Sequence, residues 1–245
     1  MLYIYIIILL VIIVFITNSQ NIETFDVNDR TAFVINLDKR PERMEQMYSK
    51  FNDYLRLKRV SAIEHKKGII GCGLSHMKVV RMARNLELST VLILEDDCKP
   101  TVAFQNWFPI KFWLDNNLDK WDIFTGGNCY YYYTSLFHKS RNTVKSICKL
   151  NDDIKLYYTR LMCTQFVYIN SRAYDKYLSW EQYSKEPIDM WPDKVNMITI
   201  SCVPFLAIQE DGYSDINNNI KSLDNAFLHS EKYISEVPNL KDCEL

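Results

Sequence analysis

Short apolar runs alternate with amphipathic stretches along the chain from Thr31 onward. Residues 31–36 form an apolar run typical of a buried strand, and apolar side chains then recur at helical spacing over residues 44–55. Residues 57–62 predict a second strand, residues 74–88 a second helix, and residues 91–94 a third strand. This alternation predicts an α/β fold, a Rossmann-like and mostly parallel sheet with flanking crossover helices.

The second half of the chain has a similar but less regular pattern. Residues 101–117 predict a helix that Pro109 kinks or splits, because proline lacks the amide hydrogen of a helical turn. Residues 121–125, 164–170 and 198–204 predict further strands.

Other stretches lack a clear period. The glycines between residues 68 and 73 predict a loop before the second helix. Residues 128–160 predict a long excursion of the kind that often forms a binding lid. Its tyrosine run, residues 130–133, is suited equally to stacking on sugar rings and to packing within a loop. From Gln209 onward the pattern predicts a polar tail.

The N-terminus is strongly apolar. Residues 2–16 are all aliphatic or aromatic, with tyrosine as the least apolar residue type, and the first charged residue is Glu23. Extended through Asn18, the segment approaches the length of a membrane-spanning helix, and it lacks the basic region and cleavage site of a signal peptide. We therefore expect a single-pass anchor at residues 1–18, a tether at 19–30 and a catalytic domain at 31–245. A buried strand or helix is the alternative, although the segment has no polar face.

Composition excludes some functions. The 245 residues include 29 basic and 30 acidic side chains, a net charge of −1, and no dense basic tract that would indicate nucleic acid as a partner. Only 6 glycines are present, and none forms a glycine-rich phosphate loop. The 7 cysteines contain no CxxC pair, so we expect mostly buried thiols and neither a zinc site nor a disulfide scaffold.

An acidic triplet, Glu95-Asp96-Asp97, ends the third predicted strand. Three carboxylates cannot remain in an apolar core, so the strand must end at the carboxyl edge of the sheet, where open α/β sheets bind ligands. In an extended backbone Glu95 and Asp97 point to the same side. Their oxygens suit a hard divalent cation such as Mn²⁺ or Mg²⁺. The alternative is a polar turn with solvated charges.

Further polar clusters follow other predicted elements. Arg40 and Arg43 come after the first strand. They are suited to binding phosphate oxygens at the start of a helix, and the alternative is that they are simply solvated side chains on that helix. Ser75 and His76 lie near the second helix and can reach a substrate, although a lone histidine there is more often structural. Asp189 is a candidate acid, or only a turn former.

The motifs VINLDKRPERM, RVSA, GCGLSH, LILEDD, WDIF with GG, PIDMW and AIQEDGYSDI occur in this order over about residues 31–217. In that order they resemble glycosyltransferase family 25, which includes bacterial lipopolysaccharide galactosyltransferases, animal collagen galactosyltransferases and relatives in large viruses. The resemblance implies a GT-A fold that binds a UDP-sugar with Mn²⁺ or Mg²⁺ held by an acidic motif.

The resemblance also implies roles for individual residues. It places around the nucleotide sugar Asn36, Leu37, Arg40, Arg43, Ala62, Ser75, His76, Glu95, Asp96, Gln209, Ser214 and Asp215. It makes Asp97 the most direct metal ligand, with Glu95 beside it. It makes Asp189 the base that takes the proton of the acceptor hydroxyl in an inverting transfer.

We therefore expect a membrane-anchored, metal-dependent inverting glycosyltransferase. It would move a hexose, galactose on the resemblance, from a UDP-sugar to a glycan, as in lipopolysaccharide biosynthesis, or to a hydroxylated protein. Its partners would be the nucleotide sugar, the acceptor and a membrane of the secretory pathway, a virus or a bacterium. Two alternatives remain, namely a catalytically silent, membrane-tethered carbohydrate-binding relative and a nucleotidyltransferase.

Overall fold

A computed structural model describes residues 28–129, 144–183, 186–214, 219–221, 223–238 and 241–243. The chain divides into two units, Met1–Arg30 and Thr31–Leu245. The predicted anchor at residues 1–18, and the tether as far as residue 27, lie outside the described residues. Within the described ranges, no helix combines the length and the apolar character that crossing a bilayer requires.

Strands and helices alternate in the first half of the second unit, as predicted. The elements are β1 (Thr31–Asn36), α1 (Pro41–Phe51), β2 (Arg56–Ser61), α2 (Gly68–Asn85) and β3 (Thr90–Glu95). β1 lies between β2 and β3 and pairs in parallel with both. The carboxyl ends of these three strands therefore meet at one edge of the sheet.

The second half contains shorter elements. They are β4 (Cys98–Pro100), α3 (Trp107–Asp115), β5 (Ile123–Thr125), β6 (Lys145–Lys149), β7 (Lys155–Thr159), β8 (Phe166–Asn170), α4 (Tyr174–Leu178), α5 (Trp180–Tyr183), α6 (Trp191–Lys194), β9 (Thr199–Val203), β10 (Ala207–Gln209), β11 (Gly212–Ser214), β12 (Asn219–Lys221) and α7 (Asp224–Ser235). Short 3₁₀ helices occupy Val102–Asn106, Ser171–Ala173 and Ile188–Met190.

The main sheet has eight strands in the order β2-β1-β3-β8-β5-β9-β7-β6. β8 runs antiparallel to β3 and β5, and β7 runs antiparallel to β9 and β6, while the other six strands share one direction. The prediction of a mixed α/β fold with a large, mostly parallel sheet is confirmed. Because β8 is reversed, its first residues lie at the same edge as the last residues of β3, where Leu94 pairs with Phe166.

The core is built on the buried strands and a group of aromatic rings. All six residues of β1 are buried, as are the four central residues of β3. The Trp107 ring packs edge-on against Phe166 and Tyr168, at centroid distances of 5.1 and 5.2 Å. This apolar packing fixes the strands firmly, so the polar residues at their ends are held in defined positions.

The glycine-rich stretch is helical, so its prediction as a loop was wrong. α2 begins at Gly68 and contains Gly71 and Gly73. A Cβ atom on Gly71 would lie 2.6 Å from the carbonyl oxygen of Ile63, and one on Gly73 would lie 2.2 Å from the Trp180 ring. These glycines therefore allow close packing against the helix, which their usual preference for turns does not reveal.

Three other predictions of secondary structure were also wrong in part. The helix predicted at residues 101–117 begins only at Trp107, and Pro109 sits in its first turn, where a missing amide hydrogen leaves no bond unmade. The stretch 128–160 contains β6 and β7, and Gln209 is followed by β11, β12 and α7 rather than by a polar tail. β7 pairs with the distant strand β9 as well as with β6, and this long-range pairing is not visible in the local sequence.

Two disulfides correct the expectation of mostly buried thiols. Cys129 pairs with Cys163, with Cα atoms 6.4 Å apart, and Cys148 pairs with Cys243, with Cα atoms 4.9 Å apart. The partners are separated by 34 and 95 residues in the sequence, so only the tertiary fold brings them together. Cys72, Cys98 and Cys202 are free thiols.

Candidate active site

A cavity of about 670 Å³ opens at the carboxyl edge of β1, β2 and β3. Nine of the residues predicted for the site line it: Leu37, Arg43, Ala62, Ser75, His76, Glu95, Asp96, Asp97 and Gln209. Ile35 and the stretch from Ile63 to Cys72 provide most of the remaining wall. The cavity is of the size that small-molecule ligands occupy in proteins.

The other predicted residues lie outside this lining. Asn36 sits directly behind the cavity wall, and Arg40, which lies near Glu42, is not part of the lining. Ser214 ends β11, opposite Asn219. Asp215 and the tyrosine run at residues 130–133 lie outside the described residues.

Asp96 is the most fully hydrogen-bonded carboxylate of the triplet. Asn36 Nδ2 donates to Oδ2 at 2.8 Å, and Arg43 Nη1 donates to Oδ1 at 2.9 Å. Burial raises the pKa of Asp96, and the Asn36 and Arg43 contacts oppose that rise. Because each oxygen has a protein donor, Asp96 joins the end of β1 and the first turn of α1 to the end of β3.

Glu95 accepts hydrogen bonds on a single oxygen, Oε1. His76 Nε2 lies 3.0 Å from Oε1, Thr164 Oγ1 donates to it, and Cys72 Sγ approaches within 3.8 Å. Burial raises the pKa of Glu95, but His76 and Thr164 outweigh burial, so the pKa falls below its usual value. Glu95 is therefore an ionised carboxylate whose contacts all fall on Oε1, which leaves its second oxygen, Oε2, unused by the described side chains.

His76 is buried and serves mainly to orient Glu95. Its Nδ1 lies 3.4 Å from the hydroxyl of Tyr177, opposite the nitrogen that contacts Glu95. Ligand atoms of Cys72, His76 and Glu95 lie within 4.8 Å of one another, a spacing that could hold a metal ion. However, burial raises the pKa of the Cys72 thiol well above its usual value, which disfavours the thiolate a metal would bind.

Asp97 differs from Glu95 and Asp96 because one of its oxygens is both buried and without a hydrogen-bond partner among the described residues. Gln209 Nε2 donates to Oδ2 at 2.7 Å, while Oδ1 is buried without a hydrogen-bond partner among the described residues. Burial, together with the charges of Glu95 and Asp96, raises the pKa of Asp97 to about 7. A carboxylate oxygen shielded from water without a donor requires either a proton or a cation, so the residues fit a divalent metal ion.

Ser75 shapes the cavity wall. Its Oγ donates to the carbonyl oxygen of Gly71 at 2.7 Å and accepts from the backbone N–H of Ile63 at 2.8 Å. Ala62 N–H in turn donates to the carbonyl oxygen of Asn36 at 2.9 Å. These bonds tie α2 and the end of β2 to the loop after β1, so Ser75 is committed to structure.

Asp189 lies outside the cavity lining, in the 3₁₀ turn Ile188–Met190. Its Oδ2 accepts the backbone N–H of Cys163 at 3.1 Å, and its Oδ1 is buried without a partner in the described part of the chain. Burial raises the pKa of Asp189, the Cys163 N–H opposes that rise, and the charge of Glu95 adds to it. Asp189 therefore has a raised pKa and one shielded oxygen without a hydrogen-bond partner among the described residues.

Sequence reasoning missed Thr164 and Tyr177, which contact Glu95 and His76 respectively. It also missed Lys66 and Lys67, which bring positive charge to the cavity wall. A polar residue just before the apolar run of β8 was the available signal for Thr164. To place Thr164 at the site from this signal, one must know that β8 runs antiparallel to β3. The alternation of strands and helices in the sequence does not reveal that direction.

No protein-family profile matches the chain, and no curated protein sequence matches it. Among solved structures, the chain is similar to A197 from STIV, with 14% identity and a TM-score of 0.40 over 88% of this chain and 97% of that chain. It is also similar to 4-diphosphocytidyl-2C-methyl-D-erythritolsynthase from Anaerococcus prevotii DSM 20548, with 10% identity and a TM-score of 0.35 over 84% and 79%. Both superpositions are weak, so function is inferred from the site residues.

Proposed function

We propose that this protein is a metal-dependent, inverting glycosyltransferase that takes a hexose from a UDP-sugar. The unpartnered, buried Oδ1 of Asp97 is the observation that carries this proposal. It belongs to a cavity of about 670 Å³ that is also lined by Glu95 and several cationic side chains. A buried acid beside cationic walls suits a ligand that arrives as a complex of diphosphate and divalent cation.

Asp97 and Glu95 are the residues that would hold Mn²⁺ or Mg²⁺. Both offer a carboxylate oxygen that the described side chains leave unused, since Gln209 occupies only Oδ2 of Asp97 and the Glu95 contacts converge on Oε1. When bound, the cation neutralises the charge that develops on the leaving diphosphate. Asp96, paired with Arg43, orders the turn that carries both ligands.

The donor would occupy the cavity along the loop before α2. Lys66 and Lys67 line this part of the wall, next to the first turn of α2 at Gly68. Lysine side chains and the backbone N–H groups of a helix start both favour phosphate oxygens. Leu37 and Ala62 line the same cavity and would border the nucleotide.

Asp189 would act as the base toward the acceptor. As the acceptor oxygen bonds to the anomeric carbon and the bond from that carbon to the diphosphate breaks, the hydroxyl proton passes to the carboxylate of Asp189. The raised pKa of Asp189 favours its proton-accepting role near neutral pH. The acceptor class is a glycan or a hydroxylated protein side chain, and galactose is the hexose that the motif resemblance favours.

The motif order also supports membership of glycosyltransferase family 25 with a GT-A fold, and the mixed sheet is compatible with that fold. Residues 1–18 would anchor the domain to a membrane. The two disulfides support a location in an oxidising compartment or at a cell or virion surface.

A donor panel tests the proposal. The purified chain is incubated with individual UDP-sugars and Mn²⁺, and release of UDP is measured. We expect slow hydrolysis of one donor, its loss on chelation of the metal, and its loss in Asp97→Asn. Turnover by Asp97→Asn equal to that of the wild type would overturn the metal assignment. Release of pyrophosphate from a nucleoside triphosphate would instead identify a nucleotidyltransferase. The absence of UDP release with every donor would favour a binding protein.

Asp189→Asn separates binding from chemistry in the same assay. The change keeps the size of the side chain and removes the proton acceptor. With water as the acceptor in this assay, we expect kcat for UDP release to fall at least a hundredfold while the KM for the donor stays within about twofold, in line with typical contributions of general bases. A KM that rises with an unchanged kcat would make Asp189 a binding residue.

A further inference from the structure

Two neighbouring residues of one segment contact two of the three acids assigned to the reaction, Glu95 and Asp189. The hydroxyl of Thr164 donates to Glu95 Oε1, and the backbone N–H of Cys163 donates to Asp189 Oδ2 at 3.1 Å. The segment leading into β8 therefore lies between the metal side and the acceptor side of the site. A shift of this segment would move the donors of Glu95 and Asp189 together.

The backbone of Cys163 is in an unfavourable conformation. Its φ of 75° lies in the left-handed region, which is sterically unfavourable for a residue that carries a Cβ. Such conformations persist where surrounding structure enforces them, and they cluster at functional sites. The unusual φ is the conformation in which the N–H of Cys163 reaches Asp189.

A disulfide ties Cys163 to Cys129. Cys129 is fully buried, and the adjacent Asn128, also fully buried, donates to the carbonyl oxygen of Arg160 at 2.5 Å. A Cβ atom on Gly127 would lie 1.9 Å from the carbonyl oxygen of Ala207, so this stretch packs directly against β10. Cys129 thus belongs to a rigid wall, and the disulfide transmits that rigidity to Cys163.

We propose that the Cys129–Cys163 disulfide is a positioning element that holds the backbone N–H of Cys163 against the carboxylate of Asp189. The inference rests on the proposed function, and it adds that full transfer activity requires this disulfide. Cys129 and Cys163 act through Asp189 and do not touch the substrate themselves.

The second disulfide provides a matched control. Cys148 lies in β6, the last strand of the sheet, and pairs with Cys243. The backbone of Lys149 also bonds to Lys241 and Cys243 in this region. Neither cysteine lines the cavity. Removal of this disulfide therefore tests the general effect of losing a crosslink.

The first experiment compares C129A/C163A with C148A/C243A in the donor assay. We expect kcat to fall about tenfold in C129A/C163A with an unchanged KM for the donor, and to stay within about twofold in C148A/C243A. Loss of the N–H donor also raises the pKa of Asp189, so the acid limb of the pH–rate profile moves to higher pH in C129A/C163A. Equal kcat values and an unmoved acid limb would overturn the proposal.

A reduction experiment covers the case in which C129A/C163A does not fold. In C148A/C243A the Cys129–Cys163 pair is the disulfide that remains among those described. We expect a phosphine reductant to lower kcat in this variant and reoxidation to restore it. Full activity after complete reduction, verified by thiol titration, would contradict a positioning role.

An NMR measurement separates this inference from the proposed function. In the wild-type protein the amide proton of Cys163 should shift as the carboxyl group of Asp189 titrates, and this shift should vanish in D189N. In C129A the titration shift should be reduced at least twofold. If no UDP-sugar is turned over, the glycosyltransferase proposal fails, but the NMR titration still tests the role of the disulfide. A Cys163 amide that titrates identically in C129A would overturn the disulfide assignment whatever the substrate.

Discussion

The side chain of Gln209 donates to one oxygen of Asp97 at 2.7 Å and leaves the other oxygen, Oδ1, buried without a partner in the described residues. β10 and β4 position the pair, because Gln209 lies opposite Cys98, the residue that follows Asp97. The backbone N–H of Glu210 also donates to the carbonyl oxygen of Asp97 at 2.7 Å. Gln209 therefore orients the proposed metal ligand without occupying its coordinating oxygen.

Gln209→Leu should weaken metal binding. The change keeps most of the volume but removes the donor that fixes the Asp97 carboxylate and favours its ionised form. We expect the Mn²⁺ concentration for half-maximal activity to rise about tenfold, with partial recovery of kcat at saturating Mn²⁺, a loss typical for residues that orient metal ligands.

Glu210→Gln is the matched control for that change. It alters the neighbouring side chain and its ion pair with Lys50, but it leaves the backbone bond to Asp97 in place. Metal dependence should remain that of the wild type. A tenfold shift in both variants would point to a general disturbance of β10 and would contradict an orienting role for Gln209.

The stability of the metal-free protein should fall as the pH rises. The pKa of Asp97 is raised from 3.8 to about 7 in the folded protein, so the folded state holds this proton more tightly than the unfolded chain. Between these two pH values the folded state binds more protons, and the free energy of unfolding therefore decreases with pH. Thermal melts across this range in the presence of a chelator measure the slope.

Asp97→Asn provides the comparison for the pH series. Asparagine does not titrate, so the slope between pH 4 and about 7 should be smaller in the variant. Mn²⁺ added above pH 7 should raise Tm in the wild type and not in the variant, since an ion that binds only the folded state stabilises it. A slope that is identical in both proteins would show that Asp97 is not the titrating group.

Thr164→Val should lower activity with little loss of fold. Valine matches the shape of threonine but cannot donate to Glu95, and one of the contacts that keep the pKa of Glu95 below its usual value disappears. We expect kcat/KM to fall about tenfold, in line with the loss of a hydrogen bond to a charged group. Steady-state kinetics at fixed Mn²⁺ test the change.

Thr90→Val is the control at the opposite end of β3. The Thr90 hydroxyl lies 2.6 Å from that of Tyr168, away from the acidic triplet. Its removal should leave kcat/KM unchanged and affect only stability. If Thr164→Val and Thr90→Val behaved alike in the kinetic assay, the contact with Glu95 would have no functional role.

Gly73→Ala should destabilise the protein. The added Cβ would lie 2.2 Å from the buried ring of Trp180, so the ring or the helix must move. Overpacking of this kind typically costs about 1–3 kcal/mol, measurable as a lower urea midpoint. In Gly73→Ala/Trp180→Phe the smaller ring should relieve the clash, so the combined loss should be less than the sum of the single losses.

The sequence alone was sufficient for the central part of the site. Alternation of apolar strands with amphipathic helices indicated parallel strands, and parallel strands bring their carboxyl ends to one edge. Residues directly after β1, β2 and β3, such as Leu37, Ala62 and Asp97, therefore line one cavity. This follows from chain direction and requires no knowledge of long-range contacts.

The tertiary structure decided which acid keeps a buried oxygen without a hydrogen-bond partner. Asp96 is paired with Arg43 and Asn36, and Glu95 is hydrogen-bonded by His76 and Thr164. Asp97 therefore keeps the buried oxygen that lacks a partner in the described part of the chain. Three adjacent carboxylates look alike in a sequence, because their hydrogen-bond donors come from distant segments.

The direction of β8 and the disulfide pairs were likewise fixed only by the fold. The reversed β8 brings Thr164 to the acidic edge, and the Cys129–Cys163 disulfide ties the preceding residue to the loop after β5. Close packing against α2 likewise requires the glycines inside this helix, although the local preference of glycine predicts a loop there. The sequence determined which residues end the central strands, because that information is local. Tertiary packing determined which donors meet them, because those contacts join residues far apart in the chain.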